Sequence, residues 1–359
     1  MGQEKAPQAA GTHRRRVHYS GKYPRRFEEK YKEQQPEKYG AEIAHVIAKG
    51  NTPAGMHIPI MVEEILAVLA IKPGERGFDA TLGYGGHTRA MLEKLAGRGH
   101  LYSGDVDPIE SAKTVARLRA QGYGEDVWSF RPMNFCAIDT LAAEVGPFDF
   151  VLADLGVSSM QLDDPARGFT YKEDGPLDLR LNPEAGSSAA ERLAGMTQDE
   201  IEGMLVCNAD ELYAAAIAKQ IVRDEQRGPI ETTQALHETI ERALRSVHFP
   251  KGTTPEEKKD AVKKSSARTF QALRIDVNHE YEVLYEFMEK LPEALAPGGR
   301  AAILTFHSGE DRIVKKAFQA FHRSGIYSDV AKDVIRPSKE ECYRNPRAHS
   351  TKLRWAIKA

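Results

Sequence analysis

Between His57 and Asp154 short apolar runs alternate with amphipathic stretches. Ile60, Val62, Ile65, Leu66 and Leu69 recur at helical spacing, predicting a helix that Pro73-Gly74 stops. Phe78 to Leu82 reads as the first strand and Thr88 to Leu95 as its helix. Leu101 to Asp105 is the second strand, followed by a helix over Pro108 to Gln121. Val127 to Arg131 is a weak third strand, Ala137 to Val145 a helix, and Phe148 to Asp154 a fourth strand. Strand–helix alternation at this spacing predicts parallel βαβ units, hence an α/β, doubly wound, mostly parallel sheet.

After Asp154 the rhythm breaks, and no clear core strand follows until Arg300. Ala189 to Leu193, Gln198 to Leu205, Asp210 to Arg223 and Thr233 to Val247 read as helices, with Thr197 and Glu200 forming a capping box. Phe249 to Lys264 is polar and reads as a mobile, basic-tipped loop. A long helix is expected from Thr269 to Leu295, ended by Ala296-Pro297-Gly298-Gly299. Arg300 to Phe306 is the fifth strand and Glu310 to Phe321 its helix. Ile326 to Ile335 and Lys352 to Lys358 suit a closing antiparallel pair. The domain reading is therefore an α/β core over 57–163 and 265–359, an all-helical insertion over 164–264, and a basic, flexible arm over 1–56.

Composition narrows this picture. With 359 residues, 41% of them hydrophobic, the chain can bury a large core. Net charge is −2, yet Arg14, Arg15, Arg16, Lys22, Arg25, Arg26, Lys30 and Lys32 crowd the arm, interleaved with Tyr19 and Tyr23. A local basic face of this kind can bind nucleic acid whatever the overall charge; a solvated tail is the competing reading. The cysteines, Cys136, Cys207 and Cys342, form no CxxC pair, so neither a disulfide framework nor a zinc site is indicated. No apolar run reaches membrane-spanning length, and a cytoplasmic protein is expected.

Candidate chemistry lies at the strand ends. Gly83-Tyr84-Gly85-Gly86-His87 is a glycine turn between the first strand and its helix, and Asp105 ends the second strand, where a carboxylate can grip ribose hydroxyls. The turn is not a complete GxGxxG. Asp79, ending the first strand, would repel a pyrophosphate but suits a ligand carrying an ammonium and a sulfonium. Asp154 ends the fourth strand on the same edge. Gly85, Gly86 and His87 would let the backbone approach a carboxylate. This pattern favours S-adenosylmethionine over a dinucleotide, with a nicotinamide dehydrogenase as the rival. Further polar runs follow: Asp154-Leu155-Gly156-Val157-Ser158-Ser159, Arg167-Gly168-Phe169, Asp174-Gly175-Pro176-Leu177-Asp178, Arg268-Thr269-Phe270-Gln271-Ala272-Leu273-Arg274, His307-Ser308-Gly309-Glu310-Asp311-Arg312 and Asn345-Pro346-Arg347-Ala348.

Through these motifs the chain resembles the RsmH (MraW) family of S-adenosylmethionine-dependent methyltransferases, from His57 to about Arg354. The resemblance implies a methyltransferase sheet with a helical insertion that recognises the substrate. It implies methylation of the exocyclic N4 of a cytidine in the decoding centre (P site) of 16S ribosomal RNA, with 16S rRNA or the small ribosomal subunit as partner. Carried over by motif, the cofactor contacts would be Gly85, Gly86, His87, Asp105, Phe135, Asp154 and Gln161. Gly309 stands where the family usually has Leu, the arm is unusual, and the segment between Arg312 and Asn345 is short. These departures point to a divergent or second-copy subgroup.

For such a reaction the N4 lone pair is delocalised into the ring, so positioning and a nearby carboxylate must help. Asp154 is the first candidate, with Asp178 and His307 behind it. Arg167, Arg180, Arg268 and Arg274 are candidate phosphate contacts, and Phe169, Tyr171 or Phe270 could stack on an unstacked base. No metal is called for. A non-catalytic RNA-binding assembly factor and a methyltransferase for another rRNA or tRNA base are the alternatives. The residues leave the oligomeric state open, a homodimer included.

Overall fold

The computed structural model describes residues 59–359; the basic arm expected over 1–56 lies outside them. An opening helix α1 (Val62–Leu69) leads into a βα series: β1 (Arg76–Asp79), α2 (Gly86–Leu95), β2 (His100–Asp105), α3 (Pro108–Ala120), β3 (Trp128–Pro132), α4 (Ile138–Val145) and β4 (Phe148–Asp154). A short α5 (Ser159–Asp163) opens a run of helices: α6 (Ala189–Gly195), α7 (Gln198–Ala209), α8 (Ala214–Glu225), α9 (Thr233–Arg245), α10 (Pro255–Val277) and α11 (Glu280–Ala294). Then come β5 (Leu295–Thr305), α12 (Ser308–Arg323), β6 (Tyr327–Val330), α13 (Lys339–Arg344) and β7 (Lys352–Lys358).

The seven strands form one sheet in the order β3-β2-β1-β4-β5-β7-β6, with β1 to β5 parallel and β7 antiparallel to both β5 and β6. The α/β doubly wound sheet and the closing antiparallel pair are therefore as expected. Both faces are covered, which is why β4 is apolar from Phe150 to Ala153. Its Val151 and Ala153 pack with Phe287, Leu291 and Phe318. Its Phe150 and Leu152 pack on the other face with Leu69, Met91 and Trp128. The order reverses between β1 and β4, so a crevice opens beyond their carboxyl ends.

One close approach on the sheet is decisive. Gly77 pairs with Phe150 across β1 and β4, and a Cβ on Gly77 would lie 2.1 Å from the Phe150 ring. Gly77→Ala is expected to lower stability by about 1–3 kcal/mol through overpacking, read by denaturant unfolding. An unchanged midpoint would mean that the ring moves freely.

Helices α6 to α9 bury a separate apolar cluster, completed by Phe270, Ala272 and Leu273 of α10. The capping box at Thr197 is present. Two expectations fail here. Residues expected to form a loop over Phe249 to Lys264 instead include the start of α10, at Pro255. Thr254 and Glu257 form a capping box there, and proline occupies the first turn, where its missing N–H costs nothing. The single helix expected from Thr269 to Leu295 is two helices, broken where His279 takes a left-handed φ of 50°. That break turns Glu280 toward the crevice.

Candidate active site

A cleft of about 850 Å³ opens at the switch point. One wall is the glycine turn. Gly83 and Gly85 hold φ of 47° and 74°, a region that favours glycine. Gly85 and Gly86 are also bare for packing: a Cβ on Gly85 would meet Thr114 at 2.8 Å, and one on Gly86 would meet Pro59 at 2.8 Å. Tyr84 in the turn lies beneath Arg117, whose guanidinium carbon stands 3.6 Å from the ring centroid. Helix α2 starts at Gly86 with no side-chain cap, and Gly85, Gly86 and His87 line the cleft, so this helix start suits a carboxylate.

Asp105 anchors this wall. The Gly83 and Asp107 amides donate to its two oxygens at 2.8 and 2.9 Å. Burial pushes its carboxyl up to about 6 despite those bonds. Phe135 lines the cleft from the turn after β3 and packs edge-on against Phe287 at 5.1 Å. Gln161 also lines it, but its side chain is engaged: Oε1 accepts from the Ser158 amide and Nε2 donates to Asp107 at 2.7 Å. It shapes the floor rather than reaching across it.

Asp154 sits opposite. Its Oδ1 is buried without a hydrogen-bond partner, and its Oδ2 lies 3.5 Å from His87 Nδ1. His87 Nε2 is 2.9 Å from the Ile60 carbonyl oxygen; a carbonyl only accepts, so Nε2 carries a proton. Nδ1 is thus the ring nitrogen turned toward Asp154. Burial pushes Asp154 up to about 7, with the Glu310 charge adding to it, and burial lowers His87.

Asp79, expected beside the ligand, is instead fully buried under α2, where the Thr88 hydroxyl donates to it at 2.5 Å. Asp178, a runner-up for catalysis, does not line the cleft. Arg180 holds it through two bonds of 2.8 and 2.7 Å; burial alone would raise its pKa, but these bonds hold it below the usual carboxylate range. A clamped anion of this kind is a poor base. His307 lies behind the cleft wall with Nε2 3.2 Å from Glu310 Oε1.

Each of the four candidate arginines is committed to a carboxylate. Arg167 is buried; it pairs with Asp107 at 2.7 Å and donates to the carbonyls of Arg180 and Leu181. Arg268 bonds buried Glu211 at 2.7 Å. Arg274 grips Glu280 through bonds of 2.7 and 2.9 Å, and Arg180 is held as described. A phosphate contact at any of them would be shared with that carboxylate. Arg167→Ala is expected to cost about 3 kcal/mol of stability, because it strands Asp107 in the interior. It should leave the salt dependence of RNA binding alone; a reduced slope would restore Arg167 as a phosphate contact.

The sequence reading missed Glu280 and Glu310. Both line the cleft around Arg274. Burial opposes the charge on Glu310, but His307, Arg274 and the Phe306 amide, which donates at 2.8 Å, outweigh it and keep the carboxyl low. Glu280, His307 and Glu310 place ligand-type atoms within 4.8 Å of one another, but the guanidinium of Arg274 already takes both Glu280 oxygens.

A model of the MraW methylase family matches residues 54–359. The chain belongs to that family. It is 64% identical to "Ribosomal RNA small subunit methyltransferase H 1" of Agathobacter rectalis, over 97% of this chain and 98% of the relative. It is 58% identical to "Ribosomal RNA small subunit methyltransferase H 2" of Alkaliphilus metalliredigens, over 96% and 97%. A relative named without a copy number, from Thioalkalivibrio sulfidiphilus, is 38% identical over 85% of this chain and 98% of its own length. The numbered relatives thus match more of this chain, and more closely, in keeping with a second-copy subgroup of the MraW methylases.

Proposed function

We propose that the chain is an S-adenosylmethionine-dependent methyltransferase acting in the cytoplasm on the exocyclic N4 of a cytidine in the decoding centre of 16S rRNA. The observation that carries this reading is Asp154: a part-exposed acid at the end of β4, with one oxygen unpartnered, in the same cleft as the uncapped start of α2. The residues present fit the cofactor. The first amides of α2 suit its carboxylate, Asp105 its ribose, and Phe135 with Met133 and Val106 the adenine, while Asp154 and Glu310 favour positive charge nearby. When bound, S-adenosylmethionine supplies an electrophilic methyl carbon.

In this reading the cofactor would supply the methyl group and leave as a neutral thioether, and the N4 amine would supply the lone pair. Asp154 accepts a hydrogen bond from the amine, stabilises the cation as it develops, and takes the proton released. His87, fixed by the Ile60 carbonyl, holds Asp154 and shares that proton. The helical segment 164–264 recognises the RNA. Phe169 and Phe270 are buried core residues, whereas Tyr171, stacked on His237 with ring centroids 4.4 Å apart, keeps exposed surface for a base.

The test is in vitro transfer from labelled S-adenosylmethionine to small subunits lacking the modification, followed by nucleoside mass spectrometry. The expected product is N4-methylcytidine. Label in another nucleoside overturns the target, and the absence of any transfer overturns the activity.

A further inference from the structure

The first turns of α11 and α12 meet at Gly309. A Cβ on Gly309 would lie 1.9 Å from the Tyr281 hydroxyl oxygen, 2.7 Å from Tyr281 Cζ and 3.1 Å from His307 Nδ1. No side chain fits there while Tyr281 keeps its place. Gly309 is not among the glycines with positive φ, so no turn requires it, and a glycine inside a helix weakens that helix relative to alanine. Its physical reason is room for the phenol.

The phenol ties three elements together. Its hydroxyl donates to the Asn208 carbonyl at 3.1 Å, in the last turn of α7, where carbonyls lack helical donors. The Asn208 side chain donates in turn to the Ala272 carbonyl of α10 at 3.1 Å. The ring stands 6.0 Å from the His307 ring. Tyr281 follows Glu280 in the chain and Gly309 precedes Glu310, and these two acids flank Arg274 in the cleft wall. Burial, with the charges of Glu310 and Glu280, pushes the phenol up to about 12, so it remains a donor.

We propose that Tyr281 and Gly309 interlock as a positioning pair that holds the Glu280–Arg274–Glu310 wall at its distance from Asp154 and couples that wall to the end of α7. The functional part of this inference rests on the methyltransferase reading; the steric part does not. The two residues act as one unit: side-chain volume can sit at one position or be shared between them, but cannot be added at Gly309 alone.

A double-mutant cycle tests this. Gly309→Leu alone drives its side chain into the phenol, and Tyr281→Leu alone leaves a hollow and frees Asn208; each is expected to lower methyl transfer about 10-fold or more. In the double variant the leucine at 309 fills the space the phenol left, so kcat returns to within about threefold of wild type, while KM for RNA stays raised as in Tyr281→Phe. The acid limb of the pH–rate profile, set by Asp154, should move in each single variant and return in the double. Losses that simply multiply, or an acid limb unmoved in both single variants, overturn the proposal. Tyr281→Phe keeps the ring and removes only the bond to Asn208; it should raise KM for RNA several-fold with kcat little changed, and an unchanged KM overturns the coupling to α7. If the wild type transfers no methyl group, the functional reading fails. The cycle is then read from the rise in melting temperature given by S-adenosylhomocysteine, where additivity still overturns the interlock.

Discussion

Asp154→Asn is expected to lower kcat for methyl transfer by about 10²–10⁴-fold, the usual range for losing a positioned proton acceptor, while S-adenosylhomocysteine still binds. The amide keeps the shape of the carboxylate, so the loss isolates charge and basicity. The environment of Asp154 gives it that basicity. Burial and the neighbouring Glu310 raise it from 3.8 to about 7, close to working pH, where an acceptor is both ionised and strong enough. The rate should therefore rise with pH through about 7. Glu310→Gln removes a negative neighbour, which makes ionisation of Asp154 easier, so the acid limb should shift to lower pH. A single-turnover pH series on wild type, Asp154→Asn and Glu310→Gln reads both effects. Full activity in Asp154→Asn would remove the acid from the chemistry. An upward shift in Glu310→Gln would mean that the Glu310 charge is not what raises Asp154.

The same residues show what a sequence can disclose. β1 to β5 were legible because short stretches with apolar residues, ended by turns, alternate with helical patterns, and strand ends in a doubly wound sheet mark the ligand edge. Asp105 and Asp154 follow from that rule. Asp79 follows the same rule and fails it, since its carboxylate points under α2 to Thr88. Which way the last side chain of a strand points depends on where the following helix docks. The carboxylate partners of the arginines were hidden for a related reason. Arg167 meets Asp107, and Arg268 meets Glu211; such distant pairings depend on the tertiary fold. The start of α10 was encoded at Thr254-Pro255-Glu256-Glu257, but its polar composition resembles a loop because its first turns are exposed. Glu310 lay in plain view in a polar run, yet only the structure brings it beside Arg274. Gly309, a mere oddity in the sequence, acquires a cause once Tyr281 is seen against it.

Asp105→Asn is expected to weaken S-adenosylhomocysteine binding about 100-fold, or roughly 3 kcal/mol. Both oxygens of the native carboxylate accept main-chain amides, from Gly83 and Asp107. An asparagine offers one acceptor and one donor, so its NH₂ must confront an N–H. The glycine turn then loses an anchor at the point where α2 begins, and the ribose loses a charged acceptor. A pH signature separates this from simple damage. Burial raises Asp105 from 3.8 to about 6 in the folded chain, so between those values the folded state binds more protons than the unfolded one. The contribution of Asp105 to stability without ligand therefore falls as pH rises through that window. The stability of Asp105→Asn relative to wild type should improve by the same course. Cofactor affinity runs the other way, because ribose hydroxyls need the ionised acceptor; the ligand-induced rise in melting temperature should grow from pH 5 to pH 7 in wild type, with a smaller pH-dependent gain in Asp105→Asn. Thermal melts with and without S-adenosylhomocysteine across that range measure both slopes. A wild-type ligand shift in the variant would show that Asp105 serves the turn alone and leaves the ribose to other groups.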